Sequence, residues 1–168
     1  AGVLTALVAA LVAASTHGSA IRAGAPELLD GPGVAFLVTA AVAFALYALA
    51  LVSLRSWRGG VAAVAALAVA IQLAPLAGPL VLSRDAYSYW AYGRLVEDHA
   101  ANPYRVAPAR YGDDPAVIAT APGWRDTRSV YGPVFTAASE GLAETTGDSG
   151  ETTAFVYRAL AAAGMLAL

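Results

Sequence analysis

Cysteine is absent from the 168 residues, which excludes disulfides, thiolate metal sites and a cysteine nucleophile. Lysine is absent too, and the ten basic residues are all Arg. A glycine-rich phosphate loop completed by Lys is therefore excluded for this segment. Charge is scarce: 13% of residues are Asp, Glu, Lys or Arg, and the net charge of -2 offers no basic surface for nucleic acid. The two histidines, His17 and His99, stand far apart without ligand spacing, so a His-based zinc site is not expected. No Ser-centred nucleophile elbow occurs. What dominates instead is apolar: 58% of residues are hydrophobic and the mean hydropathy is +0.60, against about 45 to 50% apolar and about 25% charged in a soluble domain. The composition is that of a membrane protein.

A helix needs about 20 mostly apolar residues to cross a hydrocarbon core roughly 30 Å thick. Charge-free runs meet that length near residues 1–20, 32–54 and 59–82, and a further apolar run begins near residue 151, interrupted by Arg158. The spacing predicts three transmembrane helices and the start of a fourth. Because the chain begins and ends inside apolar runs, a fragment of a larger polytopic protein is expected. The short link Arg55-Ser-Trp-Arg58 has two Arg and no acid, whereas the link around residues 17–30 has one Arg against Glu27 and Asp30. The excess of Arg assigns the former to the cytoplasm, so the N-terminus lies inside and residues 84–150 outside. Pro75 and Pro79 should kink the third span, with Gln72 placed to satisfy a freed carbonyl.

Charge and aromatics collect between the third and fourth spans, where residues 84–151 hold six Arg, ten acids and six of the eight Tyr. Such a loop is too long for simple connection and too aromatic for disorder. Residues 85–99 have a helical rhythm, with Tyr87, Trp90 and Arg94 on one face, which predicts a short helix lying along the membrane surface and capped by Asp85. The Asn102-Pro103-Tyr104 turn ends it. Prolines at 108, 115 and 122 predict an irregular path, and a second short helix is expected over 134–145. Gly147 to Gly150 breaks that helix, and Ser149 is placed to cap the helix leading into the fourth span.

Several of these side chains carry possible chemistry. Asp85 stands at the outer water–membrane boundary, where partial desolvation makes a carboxylate a better base; the alternative is a helix cap paired with Arg84 or Arg94. Adjacent Asp113 and Asp114 are a second candidate for a catalytic or metal-binding carboxylate, against a role as solvated turn formers. Arg94 is placed either to bind a phosphate or to pair with Glu97 or Asp98. Arg84 reads as an interfacial residue whose charge snorkels to water. Arg158, inside an apolar helix, is either functional or snorkels outward.

The runs Ser83-Arg-Asp-Ala-Tyr-Ser-Tyr-Trp-Ala-Tyr-Gly-Arg-Leu95, Asn102-Pro-Tyr104 and Trp124-Arg-Asp-Thr-Arg-Ser-Val-Tyr-Gly-Pro-Val-Phe135, in this order, resemble the actinobacterial polyprenol-phosphate-mannose-dependent alpha-(1→6)-mannosyltransferases and related membrane glycosyltransferases of the GT-C class. The resemblance covers roughly residues 83–140. It implies an all-α polytopic membrane protein: a GT-C-like transmembrane bundle with short interfacial helices in a long extracytoplasmic loop, located in the cell membrane. It implies an enzyme that moves a sugar, mannose for these relatives, from a polyprenyl-phosphate donor to a glycan or glycolipid acceptor. A loop carboxylate near the end of an early span is the base, the place Asp85 occupies. In that frame Arg94 and Arg158 are candidates to stabilise the departing phosphate, and Tyr87, Trp90, Trp124 and Tyr131 to wall the sugar site. No cofactor or divalent metal is predicted. A transporter or flippase for a lipid or solute, with Arg158 and the prolines lining a path, and a non-catalytic membrane scaffold are the competing readings.

Overall fold

Ala, Leu and Val dominate residues 31–54, with no charge to interrupt them, and form one helix, α1 (Gly31–Leu54). Its 24 residues run roughly 36 Å, enough to cross a hydrocarbon core. Its apolar faces are not packed away: Phe44 is 76% exposed and Leu49 62%. Thr39 and Ser53 turn their hydroxyls back onto the helix, donating to Ala35 O at 2.8 Å and Leu49 O at 2.9 Å. A helix that is apolar all round, with its hydroxyls satisfied internally, is built for lipid. It is the one helix, among the described residues, long and apolar enough to span a membrane.

The computed structural model describes residues 31–54, 60–78, 80 and 83–167. The expected first span, the Arg55–Arg58 link and Pro79 lie outside these residues. Residues 59–82 were expected to form a third span kinked by its prolines, and there α2 (Val61–Leu73) gives way to a 3-10 turn, Ala74–Ala77. Pro75 has no N–H to continue the ladder, so the last turn tightens, and Gly78 N–H donates to Pro75 O at 3.2 Å.

Two units divide the chain, one of residues 1–82 with 158–168, the other Ser83–Tyr157. In the second unit the long helices are α3 (Asp85–Glu97) and α6 (Pro133–Thr146); between them come a 3-10 turn, Pro108–Tyr111, and the short helices α4 (Pro115–Ala119) and α5 (Pro122–Arg125). Helix α7 (Gly150–Leu166) follows, with Ser149 Oγ accepting from Thr152 N–H at 3.2 Å, the cap expected of it. The prolines expected to enforce irregularity do so by opening elements. Pro108, Pro115, Pro122 and Pro133 each occupy the first position of a turn or helix, where a missing N–H loses no bond.

Helix α3 departs from the expected surface helix with one wet face. Trp90, Ala91, Tyr92 and Leu95 are each 1% exposed, and Trp90 and Ala91 form a core with Ala116, Val117 and Ala143. It is the central helix of its unit, packed on α4 and α6. Gly93 makes the α6 contact possible, since a Cβ there would stand 2.1 Å from Ser139 O. The helix ends in a 6→1 closure, Ala101 N–H to Leu95 O at 2.7 Å, with Ala100 left-handed at φ 47°.

Candidate functional site

Two polar constellations form on α3, one at each end. At its N-terminus Asp85 is the first helical residue rather than the cap. Ser83 Oγ takes the capping role by accepting Asp85 N–H at 3.0 Å. The Asp85 side chain is exposed, and among the described residues no hydrogen bond or ion pair engages its carboxylate. Neither expected partner holds it: Arg84 Nη1 donates to Ala119 O at 3.4 Å, and Arg94 is occupied elsewhere.

One turn on, Tyr89 lies within the electrostatic reach of Asp85 and anchors an aromatic cluster. Its ring meets Tyr131 at 5.1 Å, Phe135 at 5.0 Å and Tyr157 at 5.5 Å, all edge to face. Burial, a hydrogen bond with Tyr131 and the charge of Asp85 push the Tyr89 phenol up to about 12, so it stays protonated. Phe135 is 39% exposed and Val134 84%, which leaves one side of this cluster open.

The expected wall residues divide. Tyr131 belongs to the open cluster beside Asp85. Trp90 does not: at 1% exposure it packs the core, and its ring and that of Tyr87 lie near Gly150. Trp124 is exposed on α5, one residue before Arg125, whose guanidinium donates to Ile118 O at 2.6 Å and Thr120 O at 3.0 Å. Tyr89 and Phe135 escaped the sequence reading, although the i, i+4 spacing of Asp85 and Tyr89 was visible in it.

Toward the other end, Arg94 Nε donates to both oxygens of buried Asp114 at 2.9 Å. Asp98 at 3.2 Å and Asp148 at 2.8 Å complete three carboxylates around one guanidinium, with Gly147 O at 3.2 Å and the Trp90 ring 5.6 Å beneath. His99 Nε2 meets Asp114 Oδ2 at 2.9 Å while its ring stacks on Tyr111 at 3.8 Å. Asp114 also caps α4, accepting Ala116 N–H at 2.8 Å. Burial alone would raise the Asp114 carboxyl; Arg94, His99 and the α4 N–H together hold it below the usual carboxylate range. Asp114 is thus no solvated turn former. Of the two roles open to Arg94, the structure shows the ion pair, with Asp98 as one of the partners expected and with Asp114 and Asp148 besides. Nine residues separate Arg94 from Asp85, roughly 13 Å along the helix axis, too far for both to act on one anomeric centre. An Asp before Pro at the start of a helix was the missed signal. Among the described residues no group of three His, Cys, Asp or Glu could hold a metal ion.

Arg158 lies in the other unit, where its Nη1 donates to Pro75 O at 3.2 Å and to Gly78 O. Arg158 thus holds two carbonyls at the end of the proline-opened turn, one of which, Pro75 O, also accepts Gly78 N–H. A cation at the carbonyl-rich end of a helix is favourably placed.

The motifs found in sequence are also joined in space. Asn102 Oδ1 accepts Tyr104 N–H at 2.9 Å, Pro103 O accepts Ser129 N–H at 2.8 Å, and the Tyr104 hydroxyl pairs with Thr136 Oγ1 at 2.8 Å. Tyr92 OH donates to Thr127 O at 3.0 Å, tying α3 to the same strand of loop.

A membrane-length apolar helix and a folded, aromatic-rich helical unit with an exposed carboxylate at the start of its central helix define a membrane-associated chain that is all-helical among the described residues. The chain belongs, over residues 1–168, to the family described as alpha-(1->6)-mannopyranosyltransferase, N-terminal domain, a glycosyltransferase family. It is 37% identical over 76 residues to a probable alpha-(1->6)-mannopyranosyltransferase of Mycolicibacterium smegmatis, covering 44% of this chain and 13% of that protein. An alpha-(1->6)-mannopyranosyltransferase of Mycobacterium tuberculosis is 36% identical over the same length, with the same shares covered. The match thus spans 13% of the length of these relatives. No solved structure matches the chain.

Proposed function

We propose that the protein carrying this chain transfers a mannosyl unit from a polyprenyl-phosphate donor to a glycan or glycolipid acceptor outside the cytoplasm, with Asp85 as the base. In this reading α1 and α2 belong to a multi-pass bundle and residues 84–150 face outward. One observation carries the assignment of the base: Asp98, Asp114 and Asp148 around α3 are all tied to Arg94, while Asp85 is exposed and unengaged. A base must have a lone pair within reach of the hydroxyl it deprotonates.

The step is a single displacement. The acceptor oxygen attacks the anomeric carbon, the bond from that carbon to the phosphate oxygen breaks, and the polyprenyl phosphate leaves with the electron pair. The hydroxyl proton passes to the Asp85 carboxylate. One displacement inverts the centre, so an α-linked product requires a β-linked donor. The open face of Tyr89, Tyr131 and Phe135 supplies a wall for the sugar. Arg94 is a structural staple in this scheme, and the cation at the leaving phosphate comes from elsewhere in the full-length protein. The break in α2 at Pro75 is a feature also found along transport paths, but here Arg158 donates to Pro75 O and Gly78 O just after it.

The test compares wild type and Asp85→Asn in full-length form, in membranes, with labelled polyprenyl-phosphate-mannose and an oligomannoside acceptor. A loss of about two orders of magnitude or more at equal expression is expected of a missing general base. Equal rates would remove Asp85 from the chemistry and direct attention to Asp113, the other exposed acid of the pair. An inactive wild type would refute the donor.

A further inference from the structure

At the end of α3 opposite Asp85, a groove of about 550 Å³ runs between the last turn of that helix, the Asn102–Tyr104 turn and the first half of α6. Its size falls within the range of small-molecule sites, roughly 300–1,000 Å³. Apolar surface comes from Val96, Ala101 and Ala137, and polar groups from Asn102, Tyr104 and Glu140. Tyr104 is 40% exposed, and its hydroxyl bond to Thr136 fixes the ring against α6. Asn102 uses its carbonyl oxygen on Tyr104 N–H, which leaves its amide N–H groups for a ligand. Glu140 meets no cation among the described residues.

An aromatic ring, a carboxylate and an amide around an apolar floor match a pyranose, which has an apolar C–H face and a rim of hydroxyls. A lipid tail would strip water from Glu140 without replacing it. One carboxylate is too few for a calcium or magnesium ion. Ala100, the left-handed residue that closes α3, stands at the lip of the groove.

We propose that this groove is a saccharide subsite for the acceptor chain, an inference that rests on the acceptor being a glycan. Val96 lies eleven residues along α3 from Asp85, roughly 16 Å by helical rise. A ring in the groove is therefore not the reacting ring but one several units back along the chain. Tyr104 and Glu140 are positioning residues that favour long acceptors over short ones.

The experiment measures KM for α-(1→6)-linked mannobiose and mannohexaose, and for the donor, in full-length wild type, Tyr104→Ala, Tyr104→Phe and Glu140→Gln. Tyr104→Ala and Glu140→Gln should each raise KM for mannohexaose about tenfold, the effect of one lost contact of ordinary strength. KM for mannobiose and for the donor should stay as in wild type, and Tyr104→Phe should retain most of the preference for the long acceptor. A rise shared equally by both acceptors, or absent from both, overturns the subsite. Should Tyr104→Ala fail to fold, the isosteric Glu140→Gln decides alone. A wild type that transfers nothing refutes the function proposed above, and the groove is then read by saturation-transfer NMR with mannohexaose. A signal lost in Glu140→Gln upholds the subsite, and an equal signal in both proteins overturns it.

Discussion

The two units of this chain meet the same problem, a polar group away from water, with different means. In the apolar unit the answer is the backbone: Thr39 and Ser53 bond to their own helix, and Arg158 reaches the carbonyls at the Pro75 break. In the Ser83–Tyr157 unit the answer is side-chain charge, with Asp114 buried against Arg94 and His99. The hydroxyl bonds reach only four residues back and leave the helix surface apolar for lipid, while Arg158 crosses 80 or more residues of sequence to reach Pro75 and Gly78. The charge network joins residues 15 to 20 apart and buries its central carboxylate, so it requires a folded core around it. One unit is shaped by its solvent, the other by its own interior.

Arg94→Ala should break this contrast most strongly. It leaves the Asp114 carboxylate buried with its main cation gone, a loss of about 3–5 kcal/mol for a broken buried pair. Hydrogen exchange in the full-length protein should show residues 85–97 and 115–119 losing protection, with α1 unaffected. Replacing both partners with apolar residues, Arg94→Met with Asp114→Leu, should restore part of the loss, because no buried charge then remains unpaired: Asp98 and Asp148 are open to water, while the cap on Ala116 N–H stays lost. If the single and double variants exchange alike, the network contributes packing rather than charge compensation.

Acid gives a second and smaller test. Asp114 has a folded-state pKa held below its unfolded value of about 3.9. Its contribution is therefore complete above that unfolded value and is lost as pH falls through the folded one. Protection of α4 should decline below about pH 4. Asp114→Asn should be less protected at neutral pH and show a flatter acid limb. A variant with an unchanged acid limb would assign the pH dependence to another carboxylate.

How much of this was legible in the sequence follows the same division. Apolar runs depend on composition alone, so α1 appeared with its bounds nearly right. Local signals worked in the polar unit too: the 85–97 helix, the 133–146 helix and the Ser149 cap all follow from neighbours a few residues away. What stayed hidden was long-range. Whether Trp90 faces a sugar or a core depends on Ala116, Val117 and Ala143, and whether Arg94 faces phosphate depends on Asp114 and Asp148. Gly93 showed itself as a motif residue, but its reason, the approach of Ser139 O, exists only after α6 has docked. The Asp85 carboxylate was found from resemblance and place, while the cluster around Tyr89 needed Tyr131, Phe135 and Tyr157 to be brought beside it.

The smallest expected effect sharpens the comparison at one residue. Ala100 closes α3 in a left-handed conformation at φ 47°, where an L-residue with a Cβ is disfavoured by about 1 kcal/mol and glycine is not. Ala100→Gly should therefore stabilise the end of α3, and its greater freedom in the unfolded chain offsets part of that gain. Exchange protection of Ala101 N–H, which closes onto Leu95 O, reads the net effect at the site. The same variant removes a methyl from the lip of the groove beside Tyr104. If the strain serves the fold alone, protection rises and the preference for long acceptors stays as in wild type. If alanine is held there for the groove, protection rises while that preference weakens, and stability and recognition move in opposite directions at one position.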